Sequence, residues 1–240
     1  MGTFEEALEN LRRGKPVLVF DSVSREGETD ITFGAQFVTS EAIRTMRKDG
    51  GGLICVTMPF EAAEALGLDY TVNIYSKSGL PVFEKLYPND IPYDEKSAFS
   101  ITINHRKTFT GISDIDRALT VSEFAKIVEK AIASYASEEA RVSVMSEFGK
   151  YFRTPGHVHT LIASKRPLVD RKGHTELTTV LATEAGIIPS AAIVEMLGDN
   201  GKSLAKDDAM EYAALNGLPF VEGKDIIEKL GKRRSIVRNK

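Results

Sequence analysis

Strand-length runs of apolar or alternating residues recur along the whole chain, and helix-length segments separate most of them. Runs of this length indicate strands of a sheet. They cover residues 16–20, 30–38, 53–58, 98–104, 157–164, 191–197 and 219–223. Strands and helices interleave without a regular βαβ rhythm, which favours a mixed, twisted sheet covered by helices. We therefore predict an α+β fold, a three-layer α/β arrangement, in a single domain.

Amphipathic periodicity predicts the helices. The predicted helices begin and end at 4–13, 40–49, 120–135, 174–186 and 203–216. Ser40 is the expected cap of the second helix, and the glycines at 50–52 are its expected end. Residues 76–97 contain three prolines and no sustained period. We expect a long irregular loop or lid there.

Length and charge bound the function. A chain of 240 residues with 42% hydrophobic and 27% charged residues fits one globular domain with a substantial core, which we assign to residues 1–231. The net charge of -3 predicts no nucleic-acid partner. Residues 232–240 form a basic C-terminal tail with five cations and no acid. A solvated terminus explains this tail, and an RNA-binding arm is the alternative.

The compartment is predicted from three features. The longest apolar runs are far too short to cross a bilayer, and the N-terminal residues are polar and charged, unlike a signal sequence. Cys55 is the single cysteine, so no internal disulfide can form, and we expect it to be a small core residue rather than a nucleophile. We predict a cytoplasmic protein with no membrane contact.

Acidic residues crowd the segment after the first predicted strand. If the chain stays extended there, Glu26, Glu28 and Asp30 share one face by the period of two. Such crowding is repulsive unless Arg25 or a metal ion compensates it, and carboxylate oxygens suit Mg²⁺. A solvated acidic loop explains the same residues without a metal.

The motif RKGHTE, residues 171–176, has the composition of a phosphate site. A guanidinium group, helix-start amides and the hydroxyl of Thr175, the expected helix cap, would converge on one anion, and Gly173 would allow close approach. His174, inside the same motif, could bind a metal ion. A capped helix with surface cations is the alternative.

Proton transfer has three candidate side chains. His157 follows a Pro-Gly turn just before a predicted strand, and His159 lies on the same face by parity, so spacing does not choose between them. Glu195 interrupts the apolar run 191–197. Such a glutamate either faces solvent or has its pKa raised for acid-base work. The motif TGISDIDR, residues 110–117, is an anion loop or a helix-capping turn.

Six motifs in this order resemble those of the 3,4-dihydroxy-2-butanone 4-phosphate synthases, in particular the archaeal, monofunctional type. They are REGETD, GGLICV, TGISDIDR, PGHV, RKGHTE and the strand glutamate in IVEML. The resemblance implies a lyase of riboflavin biosynthesis that converts D-ribulose 5-phosphate into L-3,4-dihydroxy-2-butanone 4-phosphate and formate. The expected course is a metal-stabilised enediolate followed by skeletal rearrangement. The expected assembly is a homodimer with active sites at the interface.

The resemblance also implies a role for each candidate residue. Glu26 and His174 would bind two Mg²⁺ or Mn²⁺ ions, with no organic cofactor. His157 and Glu195 would transfer protons. Substrate contacts would come from Arg25, Glu28, Asp30, Cys55, Thr110, Ser113, Arg171, Lys172, Gly173 and Thr175.

Two other functions fit the same sequence. A metal-dependent aldolase or isomerase acting on another sugar phosphate would need the same carboxylates and phosphate site. Release of formate separates it from the synthase. A nucleotide- or RNA-binding protein of similar fold would use the basic tail, and its RNA binding would fall steeply with salt.

Overall fold

The computed structural model describes residues 3–238, and side chains within residues 3–231. Seven strands in this part of the chain form one mixed sheet of order β4-β5-β3-β6-β2-β1-β7. The strands are β1 (Val17–Phe20), β2 (Thr29–Gly34), β3 (Cys55–Met58), β4 (Phe99–His105), β5 (Phe152–Ile162), β6 (Ala191–Glu195) and β7 (Phe220–Glu222). Strand β1 pairs with β7 and β3 with β5 in parallel, and the remaining neighbours are antiparallel. The predicted mixed sheet in a single domain is confirmed.

Helices cover both faces of the sheet. They are α1 (Phe4–Arg12), α2 (Ser40–Thr45), α3 (Phe60–Ala65), α4 (Thr71–Ser76), α5 (Val82–Lys85), α6 (Asp114–Ser134), α7 (Glu138–Tyr151), α8 (His174–Glu184), α9 (Lys206–Leu215) and α10 (Gly223–Arg238). None of the helices described is both long and apolar enough to cross a membrane.

Strand β1 explains why there are three layers. Its four residues are all buried, and neighbouring side chains point to opposite faces. Leu18 and Phe20 belong to the core that contains α2, α3, α6, α7 and α9. Val17 and Val19 belong to a second core, with α1, α8 and α10. The face that carries α1, α8 and α10 is called the α8 face below.

Several predicted boundaries are wrong. The strand predicted over 30–38 ends at Gly34, and a 3₁₀ turn follows over Ala35–Phe37. A Cβ on Gly34 would lie only 2.7 Å from Ile187 Cδ1, so the glycine allows Ile187 to pack against the backbone where the strand ends. The cap of α2 is Thr39 rather than Ser40, since the Thr39 hydroxyl accepts the N–H of Ala42. A π-helical turn over Met46–Gly50 continues α2 as far as the glycines, where Gly51 has a φ of 88°, so the predicted stop is confirmed.

Some helices are absent from the sequence-based prediction. Helix α7 buries only Val144 and Phe148, so its apolar pattern is weak. Helix α10 follows the strand that we expected to be the last element. The segment 76–97 is irregular as predicted, apart from the end of α4 and the short helix α5. The side chains of the basic tail, residues 232–240, lie outside the described residues.

Candidate active site

A cleft of about 450 Å³ opens on the α8 face, beside the first turn of α8. Its floor is the sheet, where Asp30 pairs with Glu195 and Cys55 pairs with Ile193 in adjacent strands. Residues 91–98, the end of the irregular segment, line the opposite side. The cleft therefore collects side chains from parts of the chain that are distant in sequence, between residues 25 and 195.

Nine of the predicted site residues line this cleft. They are Arg25, Glu26, Glu28, Asp30, Cys55, Arg171, His174, Thr175 and Glu195. Gly173 is buried next to it. Lys172 is exposed and borders a neighbouring surface hollow instead. Three other predicted residues, His157, Thr110 and Ser113, lie outside the cleft.

A turn, not an extended strand, presents the acidic residues. Strand β1 ends at Phe20, and the next strand, β2, begins only at Thr29. The expectation that strand alternation aligns the acids is therefore wrong for the turn at residues 23–26. Asp21 holds the turn: its carboxylate accepts the backbone N–H groups of Glu26, Gly27 and Glu28 at 3.0 to 3.2 Å. These three donors satisfy the buried carboxylate and hold the segment in a turn outside the sheet. The sequence did not indicate this role for Asp21.

Glu26 and His174, which are 148 residues apart, meet in the cleft. His174 Nδ1 lies 3.2 Å from Glu26 Oε2, and His174 Nε2 lies 3.7 Å from Asp30 Oδ1. One ligand atom each of Asp21, Glu26 and His174 lies within 4.8 Å of the others. Asp30 Oδ1 is buried and has no hydrogen-bond partner. An unpaired buried carboxylate oxygen beside such a cluster is a natural place for a cation.

The charges in this cluster shift each other's pKa. Burial lowers the pKa of His174, but Asp30 and Glu26 outweigh it and raise the pKa to about 10. Burial, opposed by His174, raises the pKa of Asp30 to about 8. Burial raises the pKa of Glu26, yet the contact with His174 brings it below its usual value. A metal ion bound here would compete with a proton for the His174 imidazole.

Arg171 is held beside the start of α8 by Glu176. The completely buried Glu176 carboxylate accepts Arg171 Nη1 at 2.9 Å, the N–H of Gly173 at 3.2 Å and the N–H of Ser164 at 2.9 Å. The helix cap is Gly173, and α8 begins at His174, so the prediction that Thr175 caps the helix is wrong. Glu176, the third residue of the helix, accepts the backbone N–H of the cap residue Gly173 itself, as in a capping box.

The irregular segment contributes an acid that the sequence did not indicate. Asp94 Oδ2 accepts a hydrogen bond from Arg25 Nη2 at 2.9 Å and one from Arg171 Nε. Arg25 Nη1 also donates to the carbonyl oxygen of Tyr93. The two arginines predicted to contact substrate are therefore joined through this segment.

Glu195 stands at the end of β6 and is half-buried. Its Oε2 accepts the N–H of Leu53 at 2.7 Å, and its own carbonyl accepts the N–H of Gly52. A Cβ on Gly52 would overlap Glu195 Oε2. The glycine therefore permits the close approach that fixes this carboxylate in the cleft. Cys55, on the floor nearby, has a thiol whose pKa burial raises well above its usual value, so it is a poor nucleophile.

His157 belongs to a second cluster. Its backbone N–H donates to Asn104 Oδ1 at 2.8 Å, and its ring Nδ1 lies 3.1 Å from Asn104 Nδ2, which also donates to the carbonyl of Thr110. Asn104 thus fixes an exposed imidazole beside the TGISDIDR motif. Ser113 caps α6 by accepting the N–H of Asp116. Asn104 had no sequence signal beyond its place at a strand end.

His159, the alternative to His157, has different surroundings. It pairs with Cys55 across the sheet, and its ring lies edge-on to Phe99. It borders a mostly apolar groove of about 580 Å³ beside β4, lined also by residues of α4 and α5. Burial lowers its pKa. The structure therefore separates the two histidines, which the sequence could not.

Comparison with known proteins identifies relatives over nearly the whole chain. The family model of 3,4-dihydroxy-2-butanone 4-phosphate synthase matches residues 5–229. The 3,4-dihydroxy-2-butanone 4-phosphate synthase of Methanothermobacter thermautotrophicus is 47% identical over 96% of this chain and 97% of its own. That of Archaeoglobus fulgidus is 44% identical over 97% of this chain and 96% of its own.

Solved structures give the same result for the fold. A 3,4-dihydroxy-2-butanone 4-phosphate synthase in complex with two magnesium ions has a TM-score of 0.72 at 27% identity and covers 97% of this chain and 98% of its own. A two-domain enzyme of the same name from A. baumannii has a TM-score of 0.71 at 26% identity. The match covers 94% of this chain and 56% of that longer protein.

Proposed function

Since the chain belongs to the 3,4-dihydroxy-2-butanone 4-phosphate synthase family, we propose that its cleft converts D-ribulose 5-phosphate into L-3,4-dihydroxy-2-butanone 4-phosphate and formate, a step of riboflavin biosynthesis. Family membership confirms the resemblance drawn from the motifs, including its archaeal relatives. The protein is accordingly an enzyme, a carbon-carbon lyase. The buried unpaired cysteine supports a location in the cytoplasm.

One observation carries the assignment. The acids of REGETD, the histidine and arginine of RKGHTE and the glutamate of IVEML line the same cleft. The reaction removes protons from carbons next to hydroxyl and carbonyl groups and develops negative charge on neighbouring oxygens. Such chemistry needs cationic groups for the charge, an anion site for the phosphate and a carboxylate for the protons.

The donor set fits a hard divalent ion. Glu26 and His174 would hold it, and the unpaired oxygen of Asp30 faces the same cluster. Carboxylate oxygens with one imidazole nitrogen suit Mg²⁺ or Mn²⁺. We propose two ions per site, and a related structure, described as a complex with two magnesium ions, supports the use of this metal. When bound, such ions act as Lewis acids on neighbouring substrate oxygens.

The remaining cleft residues have roles that follow from their charge and position. Arg171, the backbone at Gly173 and the hydroxyl of Thr175 would hold the phosphate at the start of α8, with Lys172 adding charge from the exposed side. Arg25 lies next to Arg171 and would contact the sugar phosphate as well.

Polar groups nearer the sheet would bind the sugar chain. The carboxylates of Glu28 and Asp30 would accept hydrogen bonds from its hydroxyl groups, and Cys55 would pack against it on the floor of the cleft. Glu195, fixed by the N–H of Leu53, would remove and return protons. The five carbons of the substrate leave as four in one product and one in formate. This step is redox-neutral, so it needs no organic cofactor.

We propose that a homodimer completes the site. His157 is exposed on the second cluster, and its Asn104 partner also holds the carbonyl of Thr110. Nearby, Phe109, Ile112 and Ile115 leave at least half of their surface exposed, as expected for a region that a partner covers. A second copy would bring His157, Thr110 and Ser113 to this chain's cleft.

Formate production tests the function. The protein is incubated with ribulose 5-phosphate and Mg²⁺, with and without a chelator, and formate is measured against a reaction without substrate. Metal-dependent formate in equal amount to the four-carbon product is expected. Consumption of the pentose phosphate without formate would instead assign an aldolase or isomerase.

A further inference from the structure

Asp94 occupies the position between the two arginines of the phosphate end of the cleft. Its Oδ2 accepts hydrogen bonds from Arg25 and from Arg171. The three side chains are only 14 to 15% exposed. Burial raises the pKa of Asp94, but the two guanidinium groups together bring it below its usual value. An ionised carboxylate thus fills a cationic pocket.

The same carboxylate attaches the irregular segment to the cleft. Asp94 Oδ1 accepts the N–H of Glu95 at 3.0 Å, which orders the backbone around it. The preceding Tyr93 offers its carbonyl to Arg25, and its ring lies 5.7 Å from the Arg25 guanidinium carbon. Loss of the two arginine contacts would therefore release the end of this segment from the turn that holds Glu26.

We propose that Asp94 is an internal anionic latch, which occupies part of the phosphate position in the free enzyme and is displaced when the substrate's phosphoryl group binds Arg25 and Arg171. The segment of residues 88–97 is then held against the cleft before binding and released by binding. Asp94 has this role only if the cleft takes a phosphorylated substrate, as proposed above. In that function, the Asp94 carboxylate is the group that the substrate's phosphate must displace.

Packing around Gly173 explains why an anion is needed there. A Cβ on Gly173 would lie 2.7 Å from Arg171 Nη1 and 3.1 Å from Arg25 Nη2, so both guanidinium groups rest against this backbone position. Glu176 balances Arg171 from one side at 2.9 Å, but the two guanidinium groups still repel each other unless an anion lies between them. A carboxylate supplies one charge, whereas a phosphoryl group supplies nearly two and has three oxygens to share.

The latch also predicts selectivity. A sugar without phosphate has no anion with which to compete for the arginines, so the segment stays attached. A phosphorylated sugar gains the charge-assisted hydrogen bonds that Asp94 gives up. The apparent affinity for any phosphate is the intrinsic affinity multiplied by the fraction of molecules in which Asp94 has left the position.

Direct binding of inorganic phosphate tests the latch without turnover. The variant Asp94→Asn keeps the shape of the side chain and removes its charge, and it should bind phosphate about 3- to 10-fold more tightly than wild type. Isothermal titration at fixed ionic strength measures this. The matched control is Glu95→Gln, which removes the same charge from the exposed neighbouring residue and should leave phosphate affinity unchanged.

Hydrogen exchange distinguishes release from closure. In the wild type, saturating phosphate should increase amide exchange over residues 88–97, and in Asp94→Asn exchange there should be high before phosphate is added. Unchanged or weaker phosphate binding by Asp94→Asn would overturn the latch. Slower exchange of this segment with phosphate would overturn it as well, because the segment would then close over the ligand.

These measurements stay informative if the proposed reaction is wrong. Absence of formate from the wild type would reject the synthase function, while phosphate binding and exchange would still report on Asp94. Conversely, normal formate production with no effect of Asp94→Asn on phosphate affinity would reject the latch alone. A lower melting temperature of Asp94→Asn with unaltered phosphate affinity assigns Asp94 a structural role and equally rejects the latch.

Discussion

At the scale of single residues, three carboxylates organise this cleft by accepting hydrogen bonds from the backbone and from Arg171. Asp21 holds the turn that carries Glu26, Glu176 holds Arg171, and the N–H of Leu53 holds Glu195. Each carboxylate is fixed before any ligand arrives, so little conformational entropy is lost when the substrate binds. Substitutions here should separate effects on chemistry from effects on folding.

Replacing Glu195 with Gln should remove the proton acceptor while keeping an oxygen for the N–H of Leu53. We expect kcat to fall by about 10²- to 10⁴-fold, the usual contribution of one acid-base group. The melting temperature should stay close to that of the wild type. Formate release and thermal unfolding measure the two effects.

The control for Glu195→Gln is Glu129→Gln, which makes the same change at an exposed position on α6. It should leave both kcat and the melting temperature unchanged. A Glu195→Gln enzyme with near wild-type turnover would show that Glu195 is not the proton acceptor.

Metal binding should release protons. In the protein without metal, the pKa of His174 is raised to about 10, so its imidazole is protonated at neutral pH and must lose that proton to bind a metal ion. Affinity should therefore rise as pH rises, by about tenfold per pH unit for each proton released, between pH 6 and 8.5. Mn²⁺ titrations in buffers of different ionisation enthalpy count these protons. Affinity that does not change with pH would contradict a raised pKa at a ligand.

At the scale of elements, close backbone approach determines where the motifs meet. The GGLICV segment lies against the end of β6 because Gly52 has no side chain where Glu195 passes. The glycines of this motif are therefore part of the site even though they carry no chemistry.

Gly52→Ala should impair catalysis by moving Glu195. The added Cβ would overlap Glu195 Oε2 and lie 2.8 Å from the Glu195 carbonyl oxygen, so the carboxylate must shift. We expect a large loss of kcat together with about 1–3 kcal/mol of lost stability, typical of overpacking. Steady-state kinetics and denaturant unfolding measure these quantities.

Gly149→Ala is the matched control, since the added methyl group would have no atom within 4 Å at this position near the end of α7. It should keep full activity and raise the free energy of unfolding by about 0.5–1 kcal/mol, because alanine favours the helix. Equal activity losses in the two variants would mean that the contact with Glu195 is not what matters.

Much of the fold follows from local pattern, and much of the site does not. The apolar runs predict β1 and β3 correctly because every residue of these strands is buried. The RKGHTE motif marks the start of α8, as expected. The position of Asp94 depends on how an irregular loop folds back onto two arginines. Hydrophobic periodicity in the sequence does not predict such a contact. Asn104 likewise acts through long-range contacts to His157.

At the scale of the whole molecule, the cleft holds one proton-transfer candidate and the second cluster holds the other. If two copies share their sites, co-expression of His157→Gln and Glu195→Gln chains should restore activity that neither has alone. Half of the dimers are then mixed, and one of their two sites is intact, so about a quarter of wild-type activity is expected. Formate release by the purified mixture measures it.

The control pair is Glu26→Gln with Glu195→Gln, which alters two residues of the same cleft. Mixed dimers of this pair have no intact site and should stay inactive. Failure of the first pair to recover activity, with the protein dimeric by light scattering, would mean that each subunit uses its own His157 or none.

The strand order has a consequence for how the protein is made. Strands β1 and β2 form a hairpin early in the sequence. Their outer neighbours in the sheet, β7 and β6, come much later in the sequence. Glu26 and His174, the proposed metal ligands, are likewise 148 positions apart, and Glu195, the proposed proton carrier, follows later still. A nascent polypeptide on the ribosome cannot complete this cleft until Glu195 has emerged, and until then the acidic turn lacks the cationic side chains of RKGHTE.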